Sequence, residues 1–433
     1  MRVLLVSPTQ SSNFYQSKTR AAASFGLHRL KKFIENYTSS NVQVDVLETV
    51  LDNYLEYDFS PFDIIGVSCL HPTLENDLGV LHWAKQKNSQ AILVAGGIEA
   101  TFVPEIIKKY SPVNYVIPGE GEKPMLDIVK TGIYDGKRND LDEEEYRQAS
   151  MAVDLGQMDW QRCWEVNKKR FGDKKKYLRI PVDSNYCPRK CLFCSSTNFF
   201  DHLKYLTAED LVELINKAAD LEPDMIMFQA DNFLIGKGRQ RLFELVDQLN
   251  FSSPIPLMVQ VGIPDIDEKV VRAFKKLGVT KVSAGVESFS PNILKEFKKK
   301  QDENADHKSL ELLLNNGFEV YSNIILTSPS ATLVDVRYSV EQIKKYMEKG
   351  VEFGINLVPL KLPGSELYNM DVGWHIPERV EIPHSGGVII EKAGKVYPND
   401  KNIREKIMAI EEKLESTKAS AESLSELIIK HFM

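Results

Sequence analysis

RIPVDSNYCPRKCLFC, residues 179–194, is the stretch on which the fold turns. It opens on a short apolar run that predicts a β-strand, Arg179–Asp183. It closes on Cys187, Cys191 and Cys194 in C-x3-C-x2-C spacing. Thiolates are soft ligands suited to iron–sulfur clusters or zinc. Three of them on one loop can take three iron corners of a [4Fe-4S] cube and leave the fourth iron open to an outside ligand. A structural zinc site needs a fourth protein ligand, and the nearest candidate downstream is His202. The chain has five cysteines, three of them within eight residues. A secreted disulfide framework is denser and more spread out, so reduced thiols gathered for metal fit better.

Downstream, further strands are predicted at Met225–Gln229, Leu257–Val261, Lys281–Gly285, Glu319–Leu326 and Gly354–Pro359. Helical segments Ala208–Ala219, Arg239–Leu249, Glu268–Leu277 and Ser309–Asn316 lie between them. Six β/α units predict an open partial (β/α)6 barrel over residues 177–370, with its site at the C-terminal strand ends. Upstream, Val3–Ser7, Val42–Glu48, Ile64–Leu70, Ile92–Ala95 and Tyr115–Ile117 alternate with helix-length connections. Continuous Val- and Ile-rich runs predict a doubly wound, Rossmann-like parallel sheet over residues 1–135. Ligands of such sheets sit beyond the C-terminal strand ends. Pro8, Thr9, Ser68, Leu70, Gly96, Gly97, Gly119 and Glu120 collect there. Residues 136–176 read as a linker with local helix, the charge runs Asp140–Arg147 and Asn167–Arg170 as solvated surface. Residues 371–433 read as a small α+β region, with a hairpin around Gly386 and Gly387 and a helix from about Asn402 to His431.

The cysteine loop does not stand alone. Phe193 precedes the third cysteine, and Gln229 and Asp231 end the second strand of the series. Gly285, Glu287 and Ser288 form a G-x-E-S segment, with Leu294 and Lys298 following. Pro359 begins P-x3-P-G-S-x-L-Y through Tyr368. Together these residues, from Leu178 to Tyr368, resemble the radical S-adenosylmethionine (SAM) superfamily. The resemblance implies that Cys187, Cys191 and Cys194 hold a [4Fe-4S] cluster whose open iron takes the SAM methionine. It also implies that Phe193, Gln229, Asp231, Glu287 and Pro359 lie at the cofactor. The chain departs from the family in having Asn185-Tyr186 before the cluster, and Leu326–Thr332 carries none of the usual glycines.

In the first sheet, Ser68-x-Leu70, Gly96-Gly97 with Glu99 and Thr101, and Gly119 with Glu120 form a second set. Glycine at a strand end lets backbone approach a ligand without Cβ interference. The set, with Pro8 and Thr9, resembles the cobalamin-binding domain fused to radical SAM enzymes of the magnesium-protoporphyrin cyclase and cobalamin-dependent methylase groups. The usual D-x-H-x-x-G after the first strand is absent, and Ser7–Gln16 contains no histidine. That implies cobalt without a histidine from this loop. His71 reads as a surface or capping residue. The methylthiotransferases of the superfamily add three more cysteines, whereas only Cys69 and Cys163 precede the motif here.

The resemblance implies a C-methyltransferase acting at an unactivated carbon of a small molecule, through a 5′-deoxyadenosyl radical and methylcobalamin. Cyclisation, oxidation or rearrangement with the same cofactors is the alternative, and a non-catalytic corrinoid- or metal-binding module the alternative of another class. An electron donor such as flavodoxin or ferredoxin is the expected partner. A net charge of -7 argues against nucleic acid. The absence of an apolar run of about 18 to 20 residues, and an N-terminus that turns polar early, predict a cytoplasmic protein.

Overall fold

The computed structural model describes residues 1–9, 21–172, 175–184, 186–200, 202–416 and 424–433. Residues 10–16 of the loop after the first strand, Asn185 beside the cysteines and 417–423 of the expected C-terminal helix lie outside the described residues. The chain divides into two units. One comprises Met1–Ser184, Phe199–Ile226 and Arg379–Lys392, and the other Asn185–Asn198, Met227–Glu378 and Ala393–Met433.

In the first unit, β1 (Arg2–Val6), β2 (Gln43–Leu47), β3 (Ile64–Ser68), β4 (Ile92–Gly96) and β5 (Tyr115–Val116) form a parallel sheet in the order β2-β1-β3-β4-β5. Successive side chains of a strand face opposite ways, and Val3, Leu4, Leu5 and Val6 are all buried. Both faces are therefore covered. Leu4, Val6, Ile65 and Val67 pack with Leu78 and Leu81 of the helix Leu74–Lys87. Val3, Leu5 and Val94 pack with Ile34 of Phe25–Tyr37 and Ile128 of Glu122–Thr131. The reversal of strand order falls between β1 and β3, the usual ligand position in such sheets.

The segment read as a linker is folded as part of this unit. It carries the helices Glu143–Met151, opened by an Asp142–Glu145 capping box, and Trp160–Phe171. Trp160, Cys163, Trp164 and Asn167 recur at i, i+3, i+4, i+7 and are all buried. Asn167 both donates to and accepts from the backbone of Ala21 at 2.9 and 2.7 Å, so it is not solvated surface. The charge runs that suggested a linker are the outer faces of amphipathic helices.

A second sheet holds β6 (Tyr177–Pro181), β7 (Met225–Gln229), β8 (Leu257–Gly262), β9 (Val279–Glu287), β10 (Glu319–Ile325) and β11 (Glu352–Asn356) in sequential order, β6 and β11 being its edges. This is the open β/α arrangement that the six units predicted. The helix Glu268–Leu277 shows how locally it is encoded. Asp267 accepts from Val270 N at its start, Val270, Phe274 and Leu277 are buried, and Gly278 at φ +93° stops it. After β11, β12 (Trp374–Glu381) and β13 (Ile389–Tyr397) form the expected hairpin, turning at Gly386 and Gly387 with φ of +79° and +93°. The helices Lys401–Ser416 and Leu424–Phe432 follow.

Candidate cofactor sites

The cysteine loop is pinned through its backbone. Leu192 N donates to Phe297 O at 3.0 Å, and Leu367 N donates to Leu192 O at 2.9 Å. Thr197 Oγ1 donates to Arg189 O at 3.0 Å, and Asn198 Nδ2 to Gly364 O at 2.6 Å. The G-S-x-L-Y segment that sequence linked to the cysteines is thus a physical brace for their loop. Burial pushes all three thiols up, Cys187 to about 11, and neighbouring thiols raise Cys187 and Cys191 further. Among the described residues no three His, Cys, Asp or Glu groups gather round one ion position. A cube takes one thiolate at each of three irons, so its ligands are spaced apart, and a loop of three half-buried thiols fits it. His202 is exposed and makes no fourth ligand of such a group.

Of the other residues expected at the cofactor, Phe193 lies in the loop itself, and Asp231 and Glu287 stand within electrostatic reach of its cysteines. Phe193 packs edge-on against buried Phe297 at 5.1 Å. Gln229 is exposed at the end of β7. Two residues on, Asp231 lies in the electrostatic range of Cys187 and Cys194, its carboxyl pushed up by burial. Among the described residues its Oδ2 is buried with no hydrogen-bond partner. A bare buried carboxylate oxygen is costly unless a ligand donates to it. Pro359 is buried, and its carbonyl accepts from Val396 N at 3.0 Å.

Glu287 holds a left-handed φ of +65°, costly for a residue with a Cβ. The cause is visible in the register: Ala284 pairs with Ser322 but Glu287 with Ile324, so β9 bulges by one residue. Bulges re-aim side chains, and this one brings Glu287 Oε1 to 3.4 Å from Lys299 Nζ. The Lys299 side chain is only 7% exposed, and its charge draws the Cys191 thiol downward against the effect of burial. Sequence reading missed Lys299, which sits inside a run of three lysines that looks like surface.

The first unit has its own strand-end site. Gly97 has φ +89°, and a Cβ there would meet Cys69 O at 2.9 Å and Ser68 Oγ at 3.0 Å. At Gly96 a Cβ would meet none of the described residues within 4 Å, so among them space opens at the end of β4. Such an open glycine edge fits a ligand laid against backbone. Thr101 Oγ1 accepts from Gly119 N at 2.8 Å and ties two of the glycine turns together. Pro8 is half-buried, its carbonyl accepting from Thr49 Oγ1, while Thr9 and Leu70 donate to buried Asp77. Glu99 is buried beside His71. Glu120, expected among the cofactor contacts, has its carboxylate committed to Lys204, Arg29 and Leu141 N. Asp77 is another residue that sequence reading missed. Its signal was a carboxylate on the apolar face of a helix, between Leu74 and Leu81.

Two family profiles match the chain: the radical SAM superfamily over residues 182–343 and the B12 binding domain over residues 33–129. The chain carries a radical SAM domain and a B12-binding domain. A radical SAM domain implies a [4Fe-4S] cluster and SAM, and a B12-binding domain implies cobalamin. The chain is 25% identical over 287 residues to the anaerobic magnesium-protoporphyrin IX monomethyl ester cyclase of Rubrivivax gelatinosus, covering 61% of this chain and 51% of the relative. It therefore spans about half the length of that enzyme. An uncharacterized methyltransferase of Pyrococcus horikoshii is 22% identical over 395 residues, covering 85% of this chain and 82% of the relative. In fold, the chain is similar to the cobalamin-dependent SAM radical enzyme OxsB solved with aqua-cobalamin and SAM. The TM-score is 0.69 at 13% identity, over 96% of this chain and 67% of OxsB. No helix among the described residues is long and apolar enough to cross a membrane.

Proposed function

We propose that this radical SAM protein is a corrinoid-dependent C-methyltransferase acting at an unactivated carbon of a small molecule. When bound, the cluster and SAM supply a carbon-centred radical, and the corrinoid supplies a methyl group. The observation that carries the reading is the pairing, in one chain, of a braced three-thiol loop with an open glycine strand end of the B12-binding type.

The chain's own groups have distinct work in this reading. Cys187, Cys191 and Cys194 hold the cluster as thiolates, which requires that each lose its proton on loading, against the burial that raises it. Asp231, whose Oδ2 has no partner among the described residues, would be the acceptor for the ammonium of SAM. Lys299, steered by Glu287, faces negative charge on the same side as Cys191. Phe193, Leu192 and Phe297 form an apolar shelf that keeps water from the reacting carbon. Ser68, Gly96, Gly97 and Thr101 would hold the corrinoid, which would be laid against their strand ends. Reduction comes from a small electron-transfer protein.

The test needs no knowledge of the substrate. The protein is reconstituted anaerobically with iron, sulfide and hydroxocobalamin, strongly reduced, and mixed with SAM. Methyl transfer predicts one equivalent of S-adenosylhomocysteine per bound corrinoid. The cyclase relative represents the competing reading, in which the same cofactors serve ring formation. That reading predicts 5′-deoxyadenosine with no S-adenosylhomocysteine, and such a result would refute methyl transfer.

A further inference from the structure

In the run Lys298-Lys299-Lys300 the middle lysine is turned inward. Its side chain is 7% exposed, against 50% for Lys298. The segment from Phe297 to Gln301 is strapped on two sides. On one, Phe297 O accepts at 3.0 Å from the N–H of Leu192, which follows Cys191 in the loop. On the other, Lys299 Nζ donates to Gly285 O at 3.4 Å and Gln301 Nε2 to Val286 O at 2.6 Å, both carbonyls lying at the β9 bulge. Gly285 leaves room for the charges, since a Cβ there would stand 3.2 Å from Glu287 Oε1 and 3.7 Å from Lys299 Nζ. The bulge and the positive φ of Glu287 thus set a carboxylate against an ammonium beside the thiol loop.

Charges this little exposed are weakly screened by solvent. Lys299 draws the Cys191 thiol down more strongly than Arg189 does, whose guanidinium is committed to Asp265. Glu287 acts on Cys191 and Cys194 in the opposite sense. A [4Fe-4S] cluster on three thiolates gains one negative charge when it takes up an electron, and its potential follows the charge around it. A neighbouring cation favours the reduced form and a neighbouring anion the oxidised form.

We propose that Lys299 and Glu287 set the reduction potential of the bound cluster, Lys299 raising it and Glu287 holding it down. The electron enters the cluster from an external reductant, and neither side chain takes or gives one. The proposal rests on the cluster reading and is independent of corrinoid binding and of methyl transfer.

The experiment is an anaerobic redox titration of the full chain reconstituted with iron and sulfide, without SAM, read by electron paramagnetic resonance of the reduced cluster. Lys299→Met should shift the one-electron equilibrium toward the oxidised form by about tenfold, a fall of about 59 mV. Glu287→Gln, close in shape to the native side chain, should shift it by a similar factor the other way, and the double variant should lie between. Lys299→Arg keeps the charge and should stay nearer the wild type than Lys299→Met. A loop merely loosened by either change would move both midpoints in the same direction. That result would overturn the proposal, as would two unchanged midpoints. An unchanged midpoint in Lys299→Met together with weaker SAM binding would assign the lysine to the SAM carboxylate and overturn it too. Glu287→Gln makes its prediction alone, so the test stands even if Lys299→Met folds poorly. A wild-type chain that takes up no four-iron cluster overturns the cluster reading itself, and iron and sulfide counts separate that failure from the others.

Discussion

Asp77 gathers the backbone N–H and the hydroxyl of Thr9 on one carboxylate oxygen, each at 2.7 Å. Its other oxygen accepts from Leu70 N at 3.1 Å and Thr73 Oγ1 at 2.7 Å. One side chain on a helix thus ties the loop after β1 to the loop after β3, both at the strand ends expected to meet the corrinoid.

This carboxyl should set part of the pH dependence of stability. Burial pushes it up to about 7, and the four hydrogen bonds only partly oppose that. An unfolded Asp titrates near 3.8. Between about pH 4 and pH 7 the folded chain therefore holds a proton that the unfolded chain has lost. Stability falls as pH rises across that window and levels off above it, because the folded form binds more protons. Asp77→Asn cannot titrate. Urea unfolding at pH 4.5 and pH 8 should show the wild type losing on the order of 3 kcal/mol more than the variant over that interval. Parallel profiles would show that Asp77 is ionised in the fold.

A second test concerns Lys204 and Glu120, an ion pair with side chains only 1% and 2% exposed. Removing one member of such a pair strands a buried charge, at about 3–5 kcal/mol. Replacing both by apolar groups of similar size is often neutral. Lys204→Met should lower the urea midpoint sharply, and adding Glu120→Gln, which removes the stranded charge and keeps an oxygen for Leu141 N, should recover part of the loss. Arg29 stays satisfied in the double variant through Glu122 at 2.7 Å. A double variant weaker than Lys204→Met alone would assign Glu120 a role beyond neutralising this lysine.

The strand and helix order was legible because it rests on short-range pattern. The runs at Ile64 and Met225 are apolar on both faces, and the capped segment Ala208–Ala219 is bounded by its own residues. The candidate site stood out in the sequence where unusual residues concentrate in a short span, as at Cys187–Cys194 and Gly96-Gly97. Asp77, Lys204 and Lys299 were not, because a buried charge looks in sequence like an exposed one. Only long-range packing gives it a partner: Lys204 lies 84 residues from Glu120. Residues 136–176 misled for the same reason, their aromatic stripe being outweighed by the charges around it.

The last prediction concerns what holds the cysteine loop in place. Arg189, between the first two cysteines, has Nη2 at 2.6 and 2.7 Å from the two oxygens of Asp265. Asn232 Nδ2 donates to the same carboxylate at 2.8 Å. A Cβ at Gly262 would meet all three groups within 3.1 Å, so the clamp closes only over a glycine. Both charged side chains are about a quarter exposed, so solvent screening reduces the bond to about 1 kcal/mol. That is small against global stability but bears directly on the loop carrying the thiols. Arg189→Met should leave the thermal midpoint nearly unchanged and lower the iron retained after desalting by roughly fivefold, the same energy expressed as an equilibrium. Arg189→Lys should restore part of that retention, since it keeps the charge and loses the planar fork. If Arg189→Met keeps its full iron, the backbone braces to Phe297 and Leu367 are sufficient by themselves, and the clamp has no part in holding the cluster.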